Sequence, residues 1–137
     1  MVKEYEVLDF EVHPDNRGNL TALTNGQEIP FDIKRVYYTW GMPKDAIRGG
    51  HAHKNLDEVI VCVSGSCDFI LDDGKTKTVV TLDKPNKGLY IKASLWREFT
   101  NFSVDCVVVL IASDEYDKND YILDYNEYIK TRASYDE

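Results

Sequence analysis

The segment Arg48-Gly49-Gly50-His51-Ala52-His53 sets two of the chain's three histidines two residues apart, with Glu58 and Gly65 following. In an extended strand, residues i and i+2 point to the same face, so the two imidazoles converge on one surface. An imidazole titrates at about 6.5 and can therefore give or take a proton near neutrality. Two imidazoles and a carboxylate are also the donor set of an iron site with positions left open for oxygen and substrate. The plainest reading is a pair of surface histidines beside a loop. A second patch, Pro30-Phe31-Asp32-Ile33-Lys34-Arg35-Val36-Tyr37-Tyr38, puts Arg35 and Tyr37 on one strand face and Val36 and Tyr38 on the other. A guanidinium clamps anions through paired donors, and a phenol supplies a proton or a hydrogen bond. Arg35 beside Tyr37 thus suits a phosphorylated or nucleotide-linked substrate, whereas Tyr38 reads as strand packing. His13, ahead of the turn at Pro14-Asp15, reads as a surface residue.

These groups must be positioned by β-structure. Segments rich in Val, Ile, Tyr, Phe and Thr run over Glu4 to Val12, Leu20 to Leu23, Ile33 to Trp40, Glu58 to Val63, Cys67 to Asp72, Lys77 to Leu82, Gly88 to Ile91, Arg97 to Phe102 and Cys106 to Ala112. Asp72-Asp73-Gly74-Lys75 and Ser64-Gly65-Ser66 are hairpin signals. Tyr121, Ile122, Tyr125, Tyr128 and Ile129 recur at helical spacing, which predicts a C-terminal helix capped by Asp117 with Asp120 in its first turn. Many short strands followed by one helix predict an all-β jelly roll, formed as a single domain over residues 1–137. The immunoglobulin alternative wants a Cys…Trp…Cys spacing that Trp40, Cys62, Cys67, Trp96 and Cys106 do not supply.

Composition narrows the function. Charged residues make up 29% and the net charge is −8, which argues against a broad grip on nucleic acid or anionic lipid. No apolar run approaches a membrane span, and MVKEYEVLDF lacks the apolar stretch of a signal peptide, so the expectation is a cytoplasmic protein. Cys62, Cys67 and Cys106 lie in apolar runs without Cys-x-x-Cys spacing and read as buried, reduced core residues.

The run His51-x-His53-x4-Glu58-x6-Gly65 resembles the first motif of the cupin superfamily of small β-barrels (double-stranded β-helix), with Asp45 where the motif has its leading glycine. The counterpart of the second motif, GLYIKASLWREF, contains no histidine, so the fourth metal ligand of that family is missing. Lys92 and Arg97 stand in the same region and make the cavity hostile to a cation. The expectation is therefore a site without metal or cofactor, with the histidines acting as acid, base or hydrogen-bond donors.

Over nearly the whole chain, DNRGNL, IPFDIKRVYY, RGGHAHK, VIVCVSGS, LDDG, GLYIKASLWREF and CVVVLIASDEYDKNDYILDY resemble the sugar 3,4-ketoisomerases. That resemblance implies conversion of dTDP-4-keto-6-deoxyglucose into its 3-keto isomer, ahead of an aminotransferase that makes a 3-amino sugar for surface glycans. It implies His51 as principal base, Tyr37 as proton donor or enolate partner, and His53 as orienting or shuttling group. Arg17, Arg35 and Arg48 are candidates for the diphosphate, with Arg97 at the cavity wall in place of the lost ligand. Tyr90 and Trp96 are candidates to stack on thymine or sugar. Glu58, a metal ligand in metal cupins, either hydrogen-bonds a histidine or faces solvent. Related ketoisomerases pair as homodimers that exchange N-terminal strands, which the β-rich first segment allows. The competing readings are a nucleotide-sugar 3,5-epimerase, a metal-dependent dioxygenase and a non-enzymatic sugar-binding cupin.

Overall fold

The computed structural model describes residues 4–135. Twelve strands precede one helix: β1 Tyr5–Asp9, β2 His13–Asp15, β3 Gly18–Leu20, β4 Arg35–Trp40, β5 Arg48–His53, β6 Glu58–Ser64, β7 Cys67–Asp72, β8 Lys77–Leu82, β9 Lys87–Ile91, β10 Trp96–Thr100, β11 Val107–Ala112, β12 Tyr121–Ile122 and α1 Tyr125–Tyr135. They form two five-stranded antiparallel sheets, in the orders β1-β9-β6-β11-β4 and β12-β5-β10-β7-β8, with β2 and β3 as a separate hairpin.

Strand parity sorts the side chains into three layers. Ile60, Cys62, Leu89, Ile91, Val108 and Leu110 of the first sheet meet Cys67, Phe69, Leu71, Leu82 and Phe99 of the second, forming the central core. The alternate residues of the first sheet, Val59, Val61 and Ile111, point the other way and are covered by Phe10 and Ile29 of the N-terminal segment. Because β6 is buried on both faces, Val59 to Cys62 reads as an unbroken apolar run rather than an alternating one. On the outside of the second sheet, Ala52, Trp96 and Ile122 pack against Tyr128 of α1. This is the jelly-roll architecture that the strand rhythm predicts.

Three elements differ from the sequence expectation. The segment expected over Leu20 to Leu23 is instead the end of the β2–β3 hairpin, whose turn residue Arg17 pairs with Asp15 at 2.7 Å. The helix begins at Tyr125, not Tyr121, and its cap is Asp124, whose Oδ1 accepts the Asn126 N–H at 2.8 Å. Asp117 caps a separate short 3-10 turn, Lys118–Asp120. Tyr121 and Ile122 leave the helical pattern because their backbone pairs with His53 and Ala52 of β5. Tyr38 also departs from the packed role: it lies 60% exposed on the outer row of edge strand β4, its ring 5.5 Å from that of Trp40.

Candidate active site

Gly49 and Gly50 adopt φ of +78° and +72°, a conformation that side chains rarely take. A Cβ on Gly49 would also lie 2.8 Å from the Arg97 carbonyl oxygen. Opposite them, the pairing of β10 with β5 shifts register between Arg97 and Glu98. Bulge and glycines together swing the end of β5 so that His51 and His53 face the interior at one end of the barrel.

The two imidazole centroids are 4.8 Å apart, and the Tyr121 ring lies 4.9 Å from His51 and 4.5 Å from His53. Asp120, beside Tyr121 in the chain, fixes His53: its Oδ2 lies 3.0 Å from Nδ1. The same carboxylate accepts the backbone N–H of Asn55 at 2.8 Å and of Leu56 at 3.3 Å. An ionised carboxylate only accepts, so the proton sits on Nδ1 and the Nε2 lone pair is left free. That Nε2 is buried and has no hydrogen-bond partner among the described residues. Burial, reinforced by the charge of Arg97, holds His53 well below the ordinary imidazole value. Burial and Arg97 lower His51 as well. Both rings are therefore neutral at pH 7 and able to accept a proton.

Tyr37 approaches from β4. Its hydroxyl donates to Glu58 Oε2 at 3.1 Å, and burial followed by the Glu58 charge drives its pKa far above the usual phenol range. It stays protonated, as an acid or enolate partner must. Burial alone would raise Glu58, but the charge and hydrogen bond of Arg97 hold it below the ordinary carboxylate value. Glu58 is fully enclosed, and Arg97 Nη1 donates to its Oε1 at 3.0 Å. Its Nε and Nη2 donate to backbone carbonyls, Nε to Leu95, and Nη2 to Leu95, Lys92 and Ala93. Arg97 thus stands at the cavity wall where the lost metal ligand was expected, as an internal brace rather than a phosphate clamp. Glu58 has one oxygen engaged by a cation and the other by a phenol, a poor start for metal coordination.

Arg35 is the more available guanidinium. Its Cζ sits 4.3 Å from the Tyr37 ring centroid and 5.6 Å from that of Tyr116, and its Nε is buried without a partner among the described residues. Arg48 is exposed at the start of β5. Arg17 does not join the cluster: its hairpin overlies the outer face of the first sheet, where Asn19 and Thr21 face Val61, Val63 and Val109. Tyr90 and Trp96 are not in the cavity either. Tyr90 alternates with the inward Leu89 and Ile91 and packs on Phe31, at 6.0 Å, on the outside of the first sheet. Trp96 faces α1, 5.4 Å from Tyr128. His13 is exposed on β2, as expected.

The sequence reading left out Asp120, Tyr121 and Tyr116 and kept Glu58 from the catalytic set. The ASDEYDKNDYI ending carried the signal for the first three, but as part of a family pattern rather than as a position in space.

The site is thus a cluster of neutral imidazoles, a protonated phenol and a buried carboxylate–guanidinium pair, competent for proton transfer at carbon beside a carbonyl. The profile of the family described as "FdtA: WxcM-like, C-terminal" matches residues 3–133. A TDP-4-oxo-6-deoxy-alpha-D-glucose-3,4-oxoisomerase of Aneurinibacillus thermoaerophilus is 46% identical over 127 residues, 93% of this chain and 91% of that protein. Among solved structures, QdtA, a sugar 3,4-ketoisomerase from Thermoanaerobacterium thermosaccharolyticum in complex with TDP, superposes with a TM-score of 0.96 at 38% identity, covering 98% of each chain. ChmJ, a 3'-monoepimerase from Streptomyces bikiniensis, shares the fold with a TM-score of 0.76 at 21% identity, covering 88% of this chain and 69% of that one. With this cluster inside a cupin jelly roll, the chain belongs to the FdtA-type family of sugar 3,4-ketoisomerases and is an isomerase.

Proposed function

We propose that this chain moves the carbonyl of TDP-4-keto-6-deoxyglucose from C4 to C3 without a metal or cofactor, supplying a 3-keto sugar for amination. The observation that carries the reading is a neutral base, His51, facing the same interior as a phenol, Tyr37, whose burial and Glu58 contact keep it protonated. His51 takes the C3 proton, leaving an enediolate with negative charge on the C4 oxygen. Tyr37 turns its one proton from Glu58 toward that oxygen as the charge develops. The proton of the C3 hydroxyl passes to the C4 oxygen, and the protonated His51 gives its proton, exchangeable with solvent, to C4 as the C3 carbonyl forms. The free Nε2 of His53 accepts a hydrogen bond from a sugar hydroxyl and fixes the ring against His51.

Arg35 and Arg48 hold the diphosphate from within the subunit. Arg17 belongs to the proposal only through a second copy: the chain acts as a homodimer with exchanged N-terminal strands. Strand β1 supports this, because among the described residues it lies at a sheet edge and pairs with β9 alone. So do the exposed Val36, Tyr38 and Trp40, which give edge strand β4 an apolar outer row. Among the described residues no helix is long and apolar enough to cross a membrane. A single-domain enzyme working in the cytoplasm completes the proposal.

The test is proton NMR of chelator-treated protein with TDP-4-keto-6-deoxyglucose in D2O. Deuterium at C4 with the ketone at C3 is the expected result, and it also reports the C4 configuration. Exchange at C3 and C5 with the ketone still at C4 would make the chain an epimerase. Turnover that returns only with added iron would overturn the metal-free mechanism.

A further inference from the structure

The inward row of β6 runs Glu58, Ile60, Cys62, so Cys62 lies about 13 Å along the strand from the acid/base cluster. At this far end of the barrel it meets Cys67, at the start of β7, and Cys106, just ahead of β11. All three thiols are buried, the Sγ atoms lie within 4.8 Å of one another, and those of Cys62 and Cys106 are 3.7 Å apart. An apolar core can be filled by Val or Ala at such positions, whereas three converging sulfurs are a donor set for soft cations. An ion bound tetrahedrally at about 2.3 Å to sulfur places its ligands about 3.8 Å apart. One pair already meets that spacing, and the others need to close by no more than about 1 Å.

The backbone around the thiols is built and held. Ser66 N–H donates to Ser103 Oγ at 2.9 Å, Ser103 N–H to the Ser66 carbonyl at 2.9 Å, and Cys106 N–H to the Ser103 carbonyl at 3.2 Å. These bonds lace the turn between Cys62 and Cys67 to the segment that carries Cys106. Gly65 makes the approach possible: its φ is +71°, and a Cβ there would strike Ser103 Oγ at 2.1 Å. A surface cavity of about 530 Å³ is lined by Ser66, Phe102 and Ser103 and by Met42, which packs against the same core as the thiols.

We propose that Cys62, Cys67 and Cys106 form a trithiolate site for one soft divalent cation of the Zn(II) and Cd(II) class, separate from the isomerase site. Binding forms three metal–sulfur bonds and releases the thiol protons to solvent. The ion ties the β6–β7 hairpin to the lead-in of β11, and so joins the two sheets at the end of the barrel remote from catalysis.

Cd(II) is the probe, added to reduced, chelator-stripped, full-length protein and followed by its sulfur-to-cadmium ultraviolet band. The chain has three cysteines in all, so the band reports on these residues alone. The expected result is saturation at one Cd(II) per chain with an intensity of three thiolates, competition by Zn(II), and a raised thermal midpoint. Cys67→Ala and Cys106→Ala, tested separately so that one unfolded variant does not decide the matter, each weaken binding at least about tenfold. No thiolate band in the folded wild-type protein would overturn the proposal, as would a band of fewer than three thiolates or one that either substitution leaves unchanged.

Discussion

Asp120→Asn tests how the site sets the direction of a single hydrogen bond. Asp120 Oδ1 accepts Asn55 N–H at 2.8 Å, while Oδ2 serves His53 Nδ1 at 3.0 Å and Leu56 N–H at 3.3 Å. An asparagine has one oxygen, and the short bond from Asn55 retains it at the Oδ1 position. The new NH2 group then faces Nδ1 and donates to it. His53 is driven into the other tautomer, with the proton on Nε2, and a buried acceptor becomes a buried donor. The substrate hydroxyl that Nε2 would accept meets an N–H instead, a mismatch of about 1–3 kcal/mol. At 1.4 kcal/mol per tenfold, kcat falls by about 5- to 150-fold, while binding of TDP, which lacks the sugar, is unchanged. The assays are turnover by NMR and nitrogen-15 shifts of the His53 ring. A variant that shows the inverted tautomer yet turns over within twofold of the parent would refute the orienting role of His53.

Other outcomes follow from the same geometry. His51→Asn and Tyr37→Phe are each expected to lower kcat at least about 100-fold in the NMR turnover assay, with folding retained. Glu58→Gln strands the enclosed Arg97 charge and should cost about 3–5 kcal/mol in urea unfolding, because a buried pair is broken rather than replaced. Both site histidines have folded-state pKa values below the unfolded one, so the unfolded chain binds more protons below about 6.5. Stability is then full above that pH and falls as pH drops through it, to be read as a declining urea midpoint between about pH 7 and 5. Tyr128→Phe removes a hydroxyl lying 2.9 Å from both the Asp72 and Ser94 carbonyl oxygens, and should lower stability by about 1 kcal/mol in thermal unfolding.

The parts of the site legible in the sequence are those that a strand lays out by parity. His51 with His53, and Arg35 with Tyr37, share faces because they are two apart, and the fold brings both pairs to one cavity. The same rule could have excluded Tyr90, which alternates with Leu89 and Ile91, and Trp96, which must point away if its neighbour Arg97 points in. Glu58 was ambiguous because an acidic residue in a strand ordinarily faces water, and only Arg97 on the other sheet makes its burial affordable. Asp120 lies 67 residues beyond His53 and Tyr121 sits in a two-residue strand, so neither local periodicity nor spacing could place them. The helix boundary slipped for the same reason: Tyr121 and Ile122 fit a helical period, but pairing with β5 overrode it.

That separation bears on how the enzyme is made. Synthesis delivers Arg35, Tyr37, both imidazoles, Glu58 and Arg97 before the residues that orient His53 exist. A nascent chain halted after Tyr116 would hold every group named for proton transfer and still lack the carboxylate that sets the tautomer. Full activity therefore waits until β12 docks on β5, and the order of the genetic message becomes an order of activation.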